Sequence, residues 1–318
     1  MFSGFIFYED KEKGKRVFYG KIRSDFHKGR KSMYYFISNP TAGKKGNKKS
    51  LDAALEVFKA AGKKCTVYET TCQKDGKEIA YRLTSSGVDN IIVVGGDGTL
   101  HEVLNGIVNP FECRLGIIPA GTGNDFAEAA GIPLDPVKAA ELILKNETKE
   151  TNWLEFDGVR CMNIGGMGID VDILERCHKG KMKGRLKYLI SLLRSVISYK
   201  GWEVTFKQDG EEIKEKVLVA TACNGVQFGG GLRICPSAKI DDGKIDVVVV
   251  RYIKGIFNLA KAFSKLMNGT ITDYPATRHF LCDEIKMNAE PCPIQLDGEI
   301  YNNLTFDVKL YGGLRVFR

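Results

Sequence analysis

A glycine-rich turn carries the clearest chemical signal in this 318-residue sequence. Four β-branched apolar residues at 91–94 run directly into Gly95, Gly96, Asp97 and Gly98. Glycines allow positive φ and close approach of a ligand to the backbone, and free amides at a helix start attract anions. Because Asp97 would repel a phosphate unless a cation lay between them, the turn points to a nucleotide polyphosphate with Mg²⁺. Taken alone, the motif also fits an ordinary tight turn between a strand and a helix.

The residues around this turn indicate the elements that hold it. An apolar run without polar alternation is typical of a strand in a parallel sheet that helices cover on both faces. Thr99 and Glu102 have the spacing of a capping box, so we predict that the next helix opens at Thr99.

The first half of the chain alternates strands and helices. The hydrophobic periodicity predicts strands at 34–38, 66–69, 91–94 and 115–119, and helices at 50–61, 76–86, 126–130 and 136–145. Asp135 before Pro136 is a typical N-cap for the last of these helices. The alternation predicts a right-handed parallel sheet, whose ligands bind at the carboxyl ends of the strands. We therefore expect the polar loops that follow the strands to converge on one rim.

From about residue 150 onward, short strands replace this alternation. We predict strands at 151–156, 159–164, 202–207, 217–224, 245–250, 285–287 and 305–311, and helical insertions at 184–198 and 256–267. The predicted fold is a two-domain α/β protein, with a Rossmann-like parallel α/β nucleotide domain at 33–150 followed by a β-sandwich-like domain at 151–318. Residues 1–32 lack a clear period, and we interpret them as an extension, disordered or upstream of a true start at Met33.

Composition restricts the class of protein. The formal net charge is +8, and residues 1–32 contribute much of it, with nine Lys and Arg against four Asp and Glu. Without repeated arginine clusters or ribonucleoprotein-type aromatic motifs, we expect no nucleic-acid partner. Nine cysteines without a Cys-x-x-Cys pair fit a reducing cytosol, and no apolar run approaches the ~20 residues of a membrane-spanning helix. We therefore expect a cytoplasmic protein.

Three motifs occur together in the predicted rim loops. They are Asn-Pro-Thr-Ala-Gly at 39–43, Gly-Gly-Asp-Gly-Thr-Leu-His-Glu-Val-Leu-Asn-Gly at 95–106, and Pro-Ala-Gly-Thr-Gly-Asn-Asp-Phe-Ala at 119–127. The P-loop, the complete Gly-x-Gly-x-x-Gly fingerprint and the protein-kinase motif set are all absent from the sequence. The combination closely resembles the diacylglycerol kinase catalytic family, specifically its soluble bacterial lipid kinases, from about Met33 to the C-terminus. Gly-Gly-Asp-Gly-Thr, the first five residues of the second motif, is shared with NAD kinases and phosphofructokinase-like enzymes, whereas the third motif is more particular to lipid kinases.

The resemblance implies an ATP site and a position for Mg²⁺ near Asp97. Its ATP-contacting residues would be Asn39, Pro40, Thr41, Ala42, Gly43, Thr70, Gly95, Gly96, Asp97, Gly98, Thr99, Leu100, His101, Glu102 and Thr122. These positions follow the predicted strands, so the pattern of the residues independently places them on the rim.

A second acidic motif lies far along the chain, at Asp297-Gly298-Glu299. It matches the Asp-Gly-Glu that the family places against the phosphate site. Phosphoryl transfer needs a carboxylate that accepts or orients the proton of the attacking hydroxyl. We favour Glu299 as the proton acceptor and Asp297 as its partner in a metal–water network, although the sequence does not separate the two roles. An isolated Asp-Gly also fits a hairpin turn with solvated acids.

Residues 239–244 resemble the family's structural Mg²⁺ site. The resemblance implies that the Asp242 carboxylate and the backbone carbonyls of Lys239 and Lys244 would bind the ion, and Mg²⁺ accepts such oxygen ligands. An Asp-Asp-Gly turn without metal is the alternative.

Two glycine-rich segments, 163–170 and 228–231, fall where the family's domain cleft would lie, and they would shape the acceptor pocket. Their glycines equally fit bulges or strand ends. Between them lies a basic run formed by Arg176, His178, Lys179, Lys181, Lys183, Arg185 and Lys187. This run would dock the protein on anionic lipid at roughly 1 kcal/mol per basic residue. A solvated charged face is the alternative.

These observations predict an ATP- and Mg²⁺-dependent lipid kinase that contacts the membrane surface peripherally to reach its lipid substrate. Diacylglycerol, converted to phosphatidic acid, is the first choice of acceptor because of the family resemblance alone. A kinase for a sphingoid base, monoacylglycerol or phosphatidylglycerol, an NAD kinase, and a nucleotide-binding regulator without turnover stay open. A homodimer is also left open.

Overall fold

The structure, a computed structural model, describes residues 5–10, 15–21, 33–43, 47–179, 199–289 and 292–318. The described strands are β1 (Phe5–Asp10), β2 (Lys15–Lys21), β3 (Met33–Ser38), β4 (Lys64–Glu69), β5 (Asn90–Gly95), β6 (Arg114–Pro119), β7 (Lys149–Phe156), β8 (Val159–Cys161), β9 (Ile164–Gly168), β10 (Trp202–Gln208), β11 (Glu211–Cys223), β12 (Ile245–Arg251), β13 (Thr277–Cys282), β14 (Glu284–Ala289), β15 (Ile294–Leu296), β16 (Glu299–Tyr301) and β17 (Phe306–Val316). The described helices are α1 (Lys48–Ala60), α2 (Asp75–Ser85), α3 (Asp97–Gly106), α4 (Asp125–Ala129), α5 (Pro136–Leu144), α6 (Ile169–Lys179) and α7 (Ile256–Met267). Among these helices, none combines the length and apolar character that crossing a membrane requires.

The first half forms a parallel sheet in the order β4-β3-β5-β6. Every residue of β5 is buried, because helices cover both faces of this strand's apolar side chains. Helix α1 packs against α5, and α2 packs against α3. The predicted parallel α/β architecture is therefore confirmed. Helix α5 begins as predicted, with the Asp135 side chain accepting the Lys138 amide at 2.9 Å.

The second half is built around β11, which pairs antiparallel with β9, β10 and β12. The prediction began this strand at residue 217 and missed its first six residues. That segment, Glu-Glu-Ile-Lys-Glu-Lys, alternates exposed and half-buried positions, so the hydrophobic pattern becomes strong only from Val217. Four strands of the second half, β9, β13, β15 and β16, were not predicted. The predicted strand 159–164 ends where β9 begins, β15 and β16 have only three residues each, and β13 is half polar and partly exposed.

The last strand returns to the first half of the chain. Strand β17 pairs antiparallel with β7 and β14 and ends parallel to β6. Leu314, Val316 and Phe317 are consequently buried in the core of the parallel sheet. The β-sandwich-like second half predicted from the short strands is confirmed, and one continuous 15-stranded sheet connects it to the first half.

The remaining predictions concern two helical insertions and the extension at 1–32. Helix α7 matches the insertion predicted at 256–267. The other insertion, predicted at 184–198, lies outside the described residues. Within the predicted extension at 1–32, β1 and β2 form a two-stranded antiparallel sheet of their own.

The helix after the glycine turn begins earlier than predicted. Helix α3 starts at Asp97, and the Gly96 carbonyl accepts the Leu100 amide at 3.0 Å. The capping-box prediction for Thr99 and Glu102 is therefore wrong. The Glu102 carboxylate instead accepts the amides of Lys74 at 2.8 Å and Gly76 at 3.0 Å, so it stabilises the start of α2 rather than α3.

The glycines of the turn provide close approach rather than unusual backbone angles. None of Gly95, Gly96 and Gly98 has positive φ. A Cβ on Gly96 would lie 2.9 Å from the Gly121 Cα, so two rim loops meet backbone to backbone at this point. The contact brings the loops after β5 and β6 together, as the topology predicted.

Candidate active site

The rim loops of the parallel sheet meet the second half of the chain around a pocket of about 700 Å³. Predicted site residues that line it are Asn39, Thr41, Ala42, Gly43, Thr70, Gly96, Asp97, Gly98, Thr99, Glu102, Thr122, Asp297 and Glu299. The glycine-rich segments predicted to shape the cleft also contribute, through Asn163, Ile164, Asp170, Phe228, Gly229 and Gly230. Four of the predicted ATP-contacting residues are not among the lining residues: Pro40, Gly95, Leu100 and His101.

Asp97 faces the pocket from the first turn of α3. Its Oδ1 accepts the Phe126 amide at 3.2 Å. Burial and the nearby Asp125 carboxylate raise the pKa of Asp97 to about 6, although the Phe126 amide opposes this shift. A Cβ placed on Gly123 would lie 3.0 Å from Asp97 Oδ2 and 3.2 Å from Asp125 Oδ2, so the two carboxylates approach one another. Such a pair suits a hard divalent cation, which takes oxygen ligands and favours ionised carboxylates.

Asp125 also joins the two halves of the chain. Its carboxylate accepts the Gln227 side-chain amide at 2.9 Å and the Gly230 amide at 3.0 Å. Burial raises the pKa of Asp125, and those two donors partly oppose the shift. Gln227 also donates to Glu128 at 2.9 Å, and Glu128 pairs with Arg233. This network holds the 227–233 loop against α4.

Asp297 occupies the two-residue turn between β15 and β16. Its φ of +52° and the φ of +91° at Gly298 fit the Asp-Gly signature of a tight hairpin, the geometry considered for this motif. However, the Asp297 side chain is buried rather than solvated, with 3% exposure. The carboxylate accepts five hydrogen bonds, from His101 Nδ1, Cys161 Sγ and the amides of Met162, Asn163 and Ile164.

These donors determine the charge state of Asp297. Burial alone would raise its pKa, but the hydrogen bond and positive charge of His101, with the Met162 amide, outweigh burial and hold the pKa below its usual range. His101 Nε2 lies 2.7 Å from the Tyr301 hydroxyl. His101, predicted to contact ATP, is thus buried behind the pocket, where it orients an ionised Asp297.

Glu299 is the less constrained carboxylate of the acidic motif. It is half-buried, and its Oε2 accepts the Gln73 side-chain amide at 3.4 Å. A Cβ on Gly98 would lie 3.3 Å from Glu299 Oε1, so this carboxylate stands directly over the start of α3. Glu299 therefore retains acceptor capacity toward the pocket, whereas the lone pairs of Asp297 are directed to protein donors.

Residues 239–244 form an exposed turn away from this pocket. Asp242 Oδ1 accepts the Lys244 amide at 3.0 Å, and Gly243 has a φ of +73°. Lys244 Nζ pairs with Asp283 at 2.7 Å. The magnesium site at Lys239, Asp242 and Lys244 stays a prediction. In the predicted basic run, residues 180–187 lie outside the described residues.

One buried acid and one amide of the site, Asp125 and Gln227, were not predicted as site residues. Asp125 lies within the third motif, so its position in that motif was an available signal. Asp170, the last residue of the glycine-rich segment 163–170 that was predicted to shape the acceptor pocket, is 2% exposed, and burial raises its pKa to about 6. Gln227 carried no signal, because its contact with Asp125 spans about a hundred residues of chain.

Comparisons with known proteins identify the family of this chain. A family profile described as "Diacylglycerol kinase catalytic domain" matches residues 33–156. A second, described as "YegS C-terminal NAD kinase beta sandwich-like domain", matches residues 164–317. The two profiles together place the chain in the class of two-part lipid kinase-like proteins.

Curated relatives extend the match over most of the chain. A diacylglycerol kinase of Bacillus subtilis (strain 168) is 30% identical over 292 residues, which cover 88% of this chain and 94% of the relative. A probable YegS-like lipid kinase of Xanthomonas campestris pv. campestris (strain 8004) is 30% identical over 281 residues, covering 84% and 90%. The chain therefore belongs to the diacylglycerol kinase family of lipid kinases, which implies ATP as phosphoryl donor.

A solved structure supports the fold independently. The crystal structure of a putative diacylglycerol kinase from Bacillus anthracis str. Sterne aligns with a TM-score of 0.75 at 25% identity. The alignment covers 90% of this chain and 95% of that structure. The predicted family resemblance and fold class are both confirmed.

Proposed function

We propose that this protein transfers the γ-phosphoryl group of ATP, with Mg²⁺, to the hydroxyl of a lipid, with diacylglycerol as the first choice. The observation that carries this proposal is the junction of two cavities of opposite character. The polar pocket shares Asp170 and Phe228 with an apolar cavity of about 70 Å³. A substrate with a hydroxyl headgroup and acyl chains needs such a junction, whereas NAD has no acyl chain.

The polar pocket supplies the groups that phosphoryl transfer needs. Asp97, with Asp125 beside it, would hold Mg²⁺, which neutralises phosphate charge when bound. The first amides of α3 and the glycines of the rim would face the phosphates. Glu299 accepts the proton of the attacking hydroxyl, and Asp297 positions the β15–β16 turn that carries Glu299.

The apolar cavity lies between α6, α7 and the sheet. Residues that line it include Ile173, Leu218, Phe228, Leu259, Ala262 and Phe263. A volume of about 70 Å³ accommodates only a few methylene groups, so most of an acyl chain would stay outside this cavity. Burying each methylene group contributes about 0.8 kcal/mol, which favours a lipid over a water-soluble alcohol.

Incubation of the purified protein with labelled ATP, Mg²⁺ and a panel of acceptors tests this function. The panel contains diacylglycerol, monoacylglycerol, a sphingoid base, phosphatidylglycerol and NAD. We expect labelled phosphatidic acid as the main product. Labelled NADP would instead identify an NAD kinase, and ATP binding without any product would identify a regulator; either outcome contradicts the proposal.

Filling the apolar cavity is expected to weaken the use of long-chain substrates. Ala262→Leu adds three carbon atoms at a position that is 5% exposed and lines the cavity. We expect KM for long-chain diacylglycerol to rise about tenfold, while KM for ATP stays unchanged. The control is Ala60→Leu on the exposed surface of α1. Equal rises in KM for short-chain and long-chain diacylglycerol would show that the cavity holds no acyl chain.

We further propose that α7 brings the protein to the membrane surface. Its inner face lines the apolar cavity, and at its first turn Phe257 is 88% exposed beside the half-exposed Ile256. Lys254 and Lys261 are also exposed, so apolar and basic groups lie together. An anionic bilayer attracts this combination.

Phe257→Asp is expected to reduce binding to vesicles that contain phosphatidylglycerol by about tenfold or more, because burying a Phe side chain contributes roughly 2 kcal/mol. Vesicle co-sedimentation measures the effect. Leu134→Asp, at a position 60% exposed in the first half of the chain, is the matched control. If both variants bind vesicles equally well, α7 is not the docking element.

A further inference from the structure

A cluster of three metal-ligating side chains lies outside the candidate active site. Cys235 lies in the loop that follows β11, Asp246 lies on β12 and His279 lies on the neighbouring β13. None of the three lines the polar pocket or the apolar cavity. The family resemblance and the comparisons assign no role to these residues.

The cluster is compact. Cys235 Sγ lies 3.3 Å from Asp246 Oδ1 and 3.6 Å from His279 Nε2. His279 Nε2 lies 2.6 Å from the same Asp246 oxygen. Cys235 is fully buried and Asp246 is 2% exposed, whereas the His279 side chain is 27% exposed. The cluster is thus anchored in the protein and open on one side.

The distances nearly match those of a tetrahedral zinc site. Zinc lies about 2.3 Å from thiolate sulfur and about 2.0–2.1 Å from imidazole nitrogen, which places those two ligand atoms about 3.5 Å apart around a tetrahedral ion. The observed separation of Cys235 Sγ and His279 Nε2 is 3.6 Å. To admit the ion, the separation of His279 Nε2 and Asp246 Oδ1 must open by roughly 0.7–0.9 Å, and that of Cys235 Sγ and Asp246 Oδ1 by about 0.3 Å.

We propose that Cys235 Sγ, His279 Nε2 and Asp246 Oδ1 bind one Zn²⁺ ion in this protein. One thiolate, one imidazole and one carboxylate are the ligand types that zinc combines. The exposed side of His279 leaves a fourth position that water can fill. In the absence of zinc, the three groups form a hydrogen-bonded cluster around an Asp–His ion pair.

Because of the position of the cluster, a bound zinc ion would stabilise a loop of the protein. The Cys235 amide donates to the Val226 carbonyl at 3.1 Å, and Gln227 and Gly230 in the same loop contact Asp125. The loop that contains Gln227, Gly230 and Cys235 reaches across to the first half of the chain. Zinc would therefore anchor this loop to β12 and β13. This inference rests on the cluster alone and is independent of the proposed kinase reaction.

Metal content and cobalt spectroscopy test the zinc site. The full-length protein is purified under reducing conditions without chelators, because Cys223 is hydrogen-bonded to Cys235 and an oxidised pair would remove the ligand. Elemental analysis is expected to give one zinc per chain. After zinc removal, one equivalent of Co²⁺ is expected to produce a thiolate-to-cobalt charge-transfer band and intense tetrahedral d–d bands.

Two variants and one matched control make the test specific. Cys235→Ser is expected to abolish the charge-transfer band, and His279→Asn, at a partly exposed position that tolerates substitution, is expected to lower zinc occupancy at least tenfold. Cys282→Ser, on the same strand as His279, is expected to keep both signals. Absence of zinc and of the cobalt band in the folded wild type, or unchanged binding by the two variants, would overturn the proposal.

Discussion

Glu299→Gln is expected to lower kcat for ATP-dependent lipid phosphorylation by about 10²–10⁴-fold, the usual contribution of a general base. The amide has nearly the same shape as the carboxylate but does not accept the proton of the attacking hydroxyl. Because Glu299 is half-buried and its contact with Gln73 is long, the fold should tolerate the change. KM for ATP should change little. Initial rates with labelled ATP and diacylglycerol measure the effect.

Glu284→Gln is the matched control, since Glu284 is exposed on β14 and does not line the pocket. Its kcat should equal that of the wild type. If Glu299→Gln retains full turnover while folded, Glu299 is not the base. In that case the proton would have to go to another pocket group, and Asp297 is a poor substitute because five donors already occupy its carboxylate.

Asp97→Asn is expected to remove catalysis and to stabilise the fold at the same time. Loss of the charge that would hold Mg²⁺ should lower kcat by about 10³-fold or more, since metal stabilisation of phosphoryl transfer is worth several kcal/mol. The amide oxygen can still accept the Phe126 amide. It carries no charge, however, so the repulsion of Asp125 and the cost of burying an ionised carboxylate disappear.

The effect of this substitution on stability depends on pH in a defined direction. The pKa of Asp97 is raised from 3.8 to about 6, so the native state binds more protons than the unfolded state between these values. The stability associated with protonated Asp97 is therefore fully present below about pH 4 and is lost as pH rises through 6. Asp97→Asn should match the wild type at about pH 4 and exceed it by up to about 3 kcal/mol at about pH 8.

Thermal or urea unfolding at the two pH values, without Mg²⁺ or ATP, measures this difference. Asp52→Asn, at an exposed position of α1, is the control and should show no such dependence. Adding ATP and Mg²⁺ should stabilise the wild type more than Asp97→Asn. A variant that is less stable than the wild type at both pH values would show that the carboxylate is required by the fold itself.

The two halves of the chain differed in how far their folds were predictable from sequence. In the first half, unbroken apolar runs such as 91–94 and periodic helices identify buried parallel strands without knowledge of their partners. In the second half, β11 begins in a charged segment and β15 and β16 have three residues each. Their own residues show too short or too weak a hydrophobic pattern to predict a strand. They are strands because they pair with their neighbours: the charged segment of β11 pairs with β10, and β15 pairs with both β16 and the distant β9.

The glycine turn at 95–98 illustrates which properties of the site were predictable from local sequence and which depend on tertiary contacts. The sequence alone indicated an anion-binding turn with an acidic residue, and the combination with residues 119–127 indicated the family. The role of each carboxylate, in binding a cation, positioning the β15–β16 turn or accepting a proton, depends on contacts between residues far apart in the chain. Only the fold brings Asp97 against Asp125, buries Asp297 among five donors and leaves Glu299 over the start of α3.

The sequence by itself determined the class of this protein through the resemblance of its rim-loop motifs to a known family, because each motif is a continuous stretch of residues and is complete without any distant contact. The tertiary structure alone decided that Thr99 and Glu102 do not cap α3, that His101 orients Asp297, and that an apolar cavity joins the polar pocket. The physical reason is that pKa values, hydrogen-bond partners and cavities arise from groups far apart in the chain, and their proximity is a property of packing.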